Sequence, residues 1–184
     1  MLKATHDSGS VFIKRKGEPI NYKALKEIDY SLKINYGRVT KEWVYDEIEP
    51  KIIVEKYLET DDGKSLIDYK TFCFDGVVKV IQVDSDRYTG HKRSYYDTSW
   101  KHVDLRTDTD TDFVDVKRPE KLDEIIKLSE ILSKSFKHAR VDWYIINNKP
   151  IFGEITFYHR SGFGIFNSLE WELKMGSWIN LSPV

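Results

Sequence analysis

A chain of 184 residues is long enough for one domain or two small subdomains. Hydrophobic residues make up 40% and aromatics 14%, with only 10 Gly and 5 Pro, which predicts a packed core and excludes a disordered chain. Lys and Arg number 29 against 30 Asp and Glu, so bulk electrostatic capture of nucleic acid or anionic lipid is excluded, and any ligand must be held by local charge placement.

The opening Met1-Leu2-Lys3-Ala4 reads as the middle of a β-hairpin rather than the start of a domain. Strands are expected at residues 2–4 and 11–14, joined by the polar, glycine-containing turn Thr5-His6-Asp7-Ser8-Gly9-Ser10. Residues 22–34 place Leu25, Ile28, Leu32 and Ile34 close to a helical period, with Asn21 suited to cap the helix. Pro50 ends the next segment, and the β-branched run Ile52-Ile53-Val54 predicts a buried strand. Asp61-Asp62-Gly63 is a turn. Residues 68–74 alternate, Asp75-Gly76 is a hairpin signal, and residues 77–83 continue as strand. A polar stretch over 84–115, with Arg87, His91, Lys92 and Arg93 clustered early, predicts loops and short strands. Residues 119–136 form the clearest helix: Pro119 fits its first turn, and Leu122, Ile125, Ile126, Leu128 or Ser129, and Leu132 make an apolar face. Strands at 139–146 and 151–157 flank Asn147-Asn148-Lys149-Pro150, and Trp171 and Trp178 mark a final helix packed back on the core. The fold class is α+β with antiparallel sheets.

The single cysteine, Cys73, excludes a disulfide within the chain and favours a reducing, cytoplasmic setting. Its surroundings, Thr71-Phe72-Cys73-Phe74, predict a buried structural thiol rather than a nucleophile. No stretch approaches the apolar length of a membrane helix, and Lys3, His6 and Asp7 at the start do not read as a signal peptide.

Chemistry is concentrated in five segments. In the last hairpin, Arg140, Asp142 and Tyr144 alternate with Val141, Trp143 and Ile145, and on the return strand Phe152, Glu154 and Thr156 are expected to share a face. If the register sets Asp142 opposite Glu154, their Cβ atoms lie about 5 Å apart, and a hard divalent cation is a good neutraliser of two such carboxylates. The alternative is a pair of exposed strand charges with Arg140 satisfying one, and a register one residue different would separate them. Lys3 with residues 6–10 makes a lysine-and-flap unit whose backbone N–H groups suit phosphate; a plain hairpin turn has the same composition. Val54-Glu55-Lys56-Tyr57-Leu58 passes from an apolar strand into a polar–aromatic segment suited to an adenine and ribose, or ends as an ordinary strand. Lys70 shares a face with Asp68, Phe72 and Phe74, where it needs an anionic partner, either phosphate or Asp68. Lastly, the glycines around Arg160 and Ser161 in Tyr158-His159-Arg160-Ser161-Gly162-Phe163-Gly164 allow an acidic substrate close to the backbone, although surface loops of this composition are common.

In this order the segments resemble the ATP-grasp superfamily, and more closely its TupA-like family of bacterial surface-polysaccharide biosynthesis. The resemblance is carried by residues 2–10, by Ile53-Val54-Glu55-Lys56-Tyr57-Leu58, by residues 68–76, and above all by Arg140-Val141-Asp142-Trp143-Tyr144 with Phe152-Gly153-Glu154-Ile155-Thr156-Phe157-Tyr158. It implies an ATP-grasp fold, ATP and Mg2+ as cofactors, and an amide-forming carboxylate–amine ligase working through an acyl phosphate on small-molecule or polysaccharide-precursor substrates. By the same resemblance, Lys3 and the loop containing His6, Ser8, Gly9 and Ser10 contact phosphate. Glu55, Lys56, Tyr57 and Leu58 form the hinge for adenine and ribose, and Asp142 and Glu154 bind Mg2+. Lys70 and Arg140 face the phosphates or the acyl phosphate, and Arg160 lies near the substrate carboxylate. Thr156 stands where many ATP-grasp proteins carry Asn, and the family's N-terminal region is expected to be missing before Met1. The division implied is a small subdomain over 1–58 and a metal- and phosphate-binding subdomain over 59–184. Two other functions share these features: a catalytically silent nucleotide-binding module, and a glycosyltransferase, which requires a parallel nucleotide-sugar sheet.

Overall fold

The computed structural model describes residues 1–15, 17–19, 21–60, 66–85, 90–107 and 113–181. The expected turn Asp61-Asp62-Gly63 and Arg87 lie outside the described residues. The chain divides into two units, Met1–Leu58 and Glu59–Val184.

The first unit is built on a three-stranded antiparallel sheet. Its central strand is β1 (Leu2–Ala4), flanked by β2 (Val11–Phe12) and β3 (Ile52–Val54). Helix α1 (Tyr22–Ser31) starts where Asn21 accepts from the backbone N–H of Lys23 and Ala24. It ends earlier than the hydrophobic period predicts. Lys33 N–H reaches back only to Tyr30 O, and Asn35 then caps a new short helix, α2 (Tyr36–Thr40), through Arg38 N–H. A second correction concerns Ile52, Ile53 and Val54, which are 43%, 40% and 75% exposed rather than buried. They form a sheet edge, and α1 packs on β1 and β2 instead. β2 is likewise shorter than the expected 11–14.

The second unit holds a five-stranded antiparallel sheet in the order β6-β5-β4-β7-β8. These strands are β4 (Asp68–Phe74), β5 (Val77–Ser85), β6 (Lys92–Tyr96), β7 (His138–Ile146) and β8 (Lys149–Thr156). The turn Asp75-Gly76 has φ of 46° and 75°, and Asn147-Asn148 has 49° and 56°. These are the left-handed pairs that two-residue hairpins require. β8 begins at Lys149 and includes Pro150, which an edge strand tolerates. No described strand pair is parallel, so the sheet a nucleotide-sugar transferase needs is not formed here.

Alternation gives the five-stranded sheet two different faces. One is apolar: Tyr69, Cys73, Ile81, Val83, Val141 and Trp143 pack on Leu122 and Ile125 of α3 (Leu122–Ser133). Pro119 stands outside α3, in a turn where its carbonyl accepts from Leu122 N–H, so the helix is shorter than 119–136. The buried face of α3 also runs through Ser129 rather than Leu132, which is 39% exposed. Ser129 accepts from Trp143 Nε1 at 2.8 Å and donates to Ile125 O at 2.7 Å. Cys73 is fully buried here, as its neighbours predict. The other face is apolar only at one end, where Phe72, Phe74, Val80 and Tyr95 meet Met175, Trp171 and Trp178 around α4 (Leu169–Ser177). At its other end that face turns polar.

Candidate functional site

Strand register assembles the polar end. Gln82 lies opposite Tyr95 and Lys70, Lys70 opposite Asp142, and Asp142 opposite Glu154, so Tyr95, Gln82, Lys70, Asp142 and Glu154 form one row across all five strands. The expected register of Asp142 against Glu154 is therefore the one that forms. A β-bulge at Gly153 sits directly beside it: Asp142 pairs with Glu154, but Trp143 pairs with Phe152. The extra residue rotates Phe152 onto the other face, where its ring meets Trp143 at 5.9 Å, which corrects the expectation that Phe152, Glu154 and Thr156 share a face. Gly153 permits the bulge, because a Cβ there would stand 3.0 Å from Asp142 O. Gly153→Val is expected to destabilise the fold by about 1–3 kcal/mol through this clash. It should also weaken any ligand held by Glu154. Urea titration monitored by circular dichroism checks the first effect.

Lys70, Arg140 and Asp142 are 7%, 9% and 3% exposed, and the two cations share the one carboxylate. Arg140 donates Nε to Asp142 Oδ1 at 2.7 Å and Nη2 to Oδ2 at 2.8 Å, a planar fork on a carboxylate. Lys70 Nζ donates to the same Oδ2 at 2.5 Å. The buried lysine thus has its anionic partner in Asp142, from a strand 72 residues away, rather than in Asp68. Arg140 Nη2 also reaches Glu154 Oε1 at 3.4 Å and Thr156 Oγ1 at 3.0 Å. The Glu154 side chain is 63% exposed, so it carries the row out to solvent.

Sequence reasoning passed over the other half of this face. Asp84 is 3% exposed and accepts from Arg93 Nε at 2.6 Å and from Gln82 Nε2 at 2.9 Å. Burial alone would raise the Asp84 carboxyl, but Arg93, with help from Lys70 and Gln82, holds it below the usual carboxylate range. Gln82 Oε1 is buried and has no hydrogen-bond partner among the described residues. The available signal was the alternation of Gln82 and Asp84 with Ile81 and Val83, which marks a polar inward face on a strand otherwise read only for its length.

Arg160 lies in a one-turn 3-10 segment, His159–Gly162, where Arg160, Ser161 and Gly162 all have positive φ, 52°, 55° and 77°. Two of these are non-glycine residues, each at a cost of about 1–2 kcal/mol. The turn sets the His159 ring against Phe72 at 5.2 Å. Burial, then Arg140, Arg93, Arg160 and His138, push His159 down to about 3. Positive charge therefore converges on this imidazole from β6, β7 and the Arg160 turn. His138, whose ring reaches Cys73 O at 3.0 Å, is also lowered, first by burial and then by Arg140.

The remaining expected residues lie in the first unit. Lys3 Nζ meets Glu55 Oε2 at 2.6 Å across the β1–β3 pair, and Glu55 N–H donates to Met1 O at 2.8 Å. The structure thus brings together one residue of the lysine-and-flap unit and one of the hinge segment. Ser8 and Gly9 are exposed, with Gly9 at φ 106°, while the Ser10 hydroxyl bonds Asp7. His6 is turned inward at 3% exposure, with Nε2 on Ser31 O at 3.1 Å, so it anchors the loop instead of lining it. Lys56 is exposed, Leu58 half-buried, and the Tyr57 ring lies 5.6 Å from Arg15.

The donor set in the second unit fits magnesium. It offers two carboxylates and a hydroxyl, all hard oxygens, on adjacent strands. No group of three or more His, Cys, Asp and Glu that could hold a metal occurs among the described residues. A two-carboxylate site of this kind suits an ion that keeps waters and completes its shell with phosphate. No helix among the described residues is long and apolar enough to cross a membrane.

Comparison with known proteins gives one family match: TupA-like ATPgrasp, over residues 1–180. No curated protein matches the chain. Among solved structures, D-alanine–D-alanine ligase from Bacillus anthracis complexed with ATP is 15% identical with a TM-score of 0.35, over 85% of this chain and 48% of that one. Another crystal structure of that ligase is 18% identical with a TM-score of 0.39, over 96% of this chain and 56% of that one. The chain spans about half the length of the ligase it matches.

Proposed function

The chain belongs to the TupA-like ATP-grasp family, and on that premise we propose that it takes part in an ATP-dependent ligation joining a carboxylate to an amine in cell-surface polysaccharide synthesis. The observation that carries this reading is the row Lys70–Asp142–Glu154, buried at Lys70 and Asp142 and open to solvent at Glu154, with Arg140 beside it, where paired acids and paired cations share one face. Asp142 and Glu154 are the proposed Mg2+ ligands, with the Thr156 hydroxyl as a weaker donor. When bound, the ion neutralises phosphate oxygens and orients the triphosphate.

The protein's share of the work is positioning and charge stabilisation. A substrate carboxylate oxygen attacks the γ-phosphorus of ATP as the bond to the β,γ-bridging oxygen breaks, giving an acyl phosphate and ADP. An amine nitrogen then attacks the acyl carbon, phosphate leaves, and the nitrogen loses a proton to water. Lys70 and Arg140 stabilise charge on the transferring phosphoryl group, and Arg160 holds the substrate carboxylate. Lys3 and the loop with Ser8, Gly9 and Ser10 are assigned to phosphate, with His6 fixing the loop from beneath. Glu55, Lys56, Tyr57 and Leu58 are assigned to adenine and ribose. The one buried thiol suits a reducing compartment, and the cytoplasm is the proposed setting.

ADP release measured against a panel of uronic-acid carboxylates and amino acids tests the reading. ADP formation should require both a carboxylate and an amine. Tight ATP binding with no ADP from any pair would instead identify a silent nucleotide-binding module.

A further inference from the structure

Asp142 already carries a cation where a metal would bind. Its Oδ2 has two lone pairs, and both are occupied, by Lys70 Nζ at 2.5 Å and Arg140 Nη2 at 2.8 Å. Asp142 is 3% exposed, so water does little to screen an ion brought to that oxygen. A divalent cation on Oδ2 and the Lys70 ammonium are therefore mutually exclusive. The two basic partners differ in kind. The guanidinium of Arg140 is a rigid fork gripping both carboxylate oxygens, whereas Lys70 is a point charge on a flexible four-carbon stem. Only Lys70 can leave without disturbing the orientation of Asp142. An acceptor stands ready for it: Gln82 lies directly opposite Lys70, and its buried Oε1 has no hydrogen-bond partner among the described residues.

We propose that Lys70 is an internal stand-in for the metal, which keeps Oδ2 of Asp142 closed to free Mg2+ until a triphosphate offers the ammonium a replacement anion. This rests on the assignment of Asp142 and Glu154 as metal ligands. The triphosphate supplies both halves of the exchange, an oxyanion for Lys70 and a metal for Asp142. Metal and nucleotide then bind as a coupled pair, each raising the affinity of the other by the same factor. Free divalent cation, which would otherwise draw two converging carboxylates together, is refused.

Mn2+ serves as the probe, with free ion read by electron paramagnetic resonance. The unaltered protein should bind Mn2+ at least tenfold more weakly without ATP than with it. Lys70→Met and Lys70→Gln should raise affinity for Mn2+ in the absence of nucleotide at least tenfold, and the enhancement by ATP should shrink correspondingly. Lys70→Arg keeps the charge and should leave nucleotide-free Mn2+ binding as weak as in the unaltered protein. Equal Mn2+ affinity with and without ATP in the unaltered protein would overturn the proposal without recourse to any variant. So would folded Lys70→Met or Lys70→Gln protein that binds nucleotide-free Mn2+ no better than before. If Glu154→Gln abolishes ATP-dependent Mn2+ binding while the Lys70 variants show no gain, the metal assignment stands and the stand-in role falls. If the unaltered protein binds no Mn2+ even with ATP, both fall together.

Discussion

Glu154→Gln is expected to weaken Mg2+-dependent ATP binding at least about tenfold, or 1.4 kcal/mol, and adding Asp142→Asn is expected to abolish it. The first substitution is the cleaner of the two. Glu154 has a 63% exposed side chain and touches Arg140 only at 3.4 Å, an exposed contact worth at most about 1 kcal/mol to the fold. Loss of binding in folded Glu154→Gln protein therefore reports on a ligand and not on unfolding. Asp142 is different: its removal leaves the Lys70 ammonium and the Arg140 guanidinium buried against a neutral amide. That variant should lose stability as well, by about 1–3 kcal/mol, and the binding experiment must run well below its melting temperature. Isothermal calorimetry with Mg2+, and again with the metal chelated, separates the two effects. Only the metal-dependent part of the affinity should change. Equal metal-dependent affinity in the double variant and the unaltered protein would refute the assignment of these acids.

Asp142 and Glu154 illustrate how far the sequence could be read. The bulge at Gly153, not the Asn147-Asn148 turn, sets Asp142 opposite Glu154; alternation with Val141 and Ile155 and the turn residues give only the two strands and the hairpin that joins them. Local chemistry alone dictates those features, through a period of two and a left-handed turn. The same reasoning misplaced Phe152, because a bulge breaks the period and Gly153 announces it only weakly. The need of Lys70 for an anion, phosphate or Asp68, is legible from its inward face, yet its partner Asp142 lies on a strand paired through long-range contacts. Ile52, Ile53 and Val54 show the complementary failure. β-branched residues do form the strand, but whether a strand is covered depends on which elements pack over it, and composition carries no record of that. The ATP-grasp fold class was legible because many such local patterns recur in a fixed order. The Gln82–Asp84–Arg93 cluster was not, since each member looks like an ordinary polar strand residue until the register gathers them.

The histidines of this face predict a loss of stability on mild acidification, well above the range where carboxylates titrate. His159 is held to about 3 by burial and by the nearby arginines, whereas in the unfolded chain it titrates near 6.5. Between those values the unfolded state binds a proton that the folded state refuses, so stability must fall as pH falls through this window. From pH 7 to pH 5 the loss from His159 is about 1–2 kcal/mol, allowing for solvent screening of a side chain that is only half-buried. His138, also lowered, acts in the same direction. Asp84 does not contribute at these pH values: its lowered carboxyl stabilises the fold above the unfolded range near 3.9, and that stabilisation fades only as pH falls below it. Four of the five tryptophans, Trp100, Trp143, Trp171 and Trp178, belong to Glu59–Val184, so their fluorescence follows this unit through urea unfolding. The urea midpoint should drop between pH 7 and pH 5. In His159→Gln, which offers no imidazole to protonate, the slope of stability against pH should flatten even if the starting stability at pH 7 differs. An unchanged slope in that variant would mean that neither burial nor the nearby arginines hold the His159 imidazole below its ordinary value.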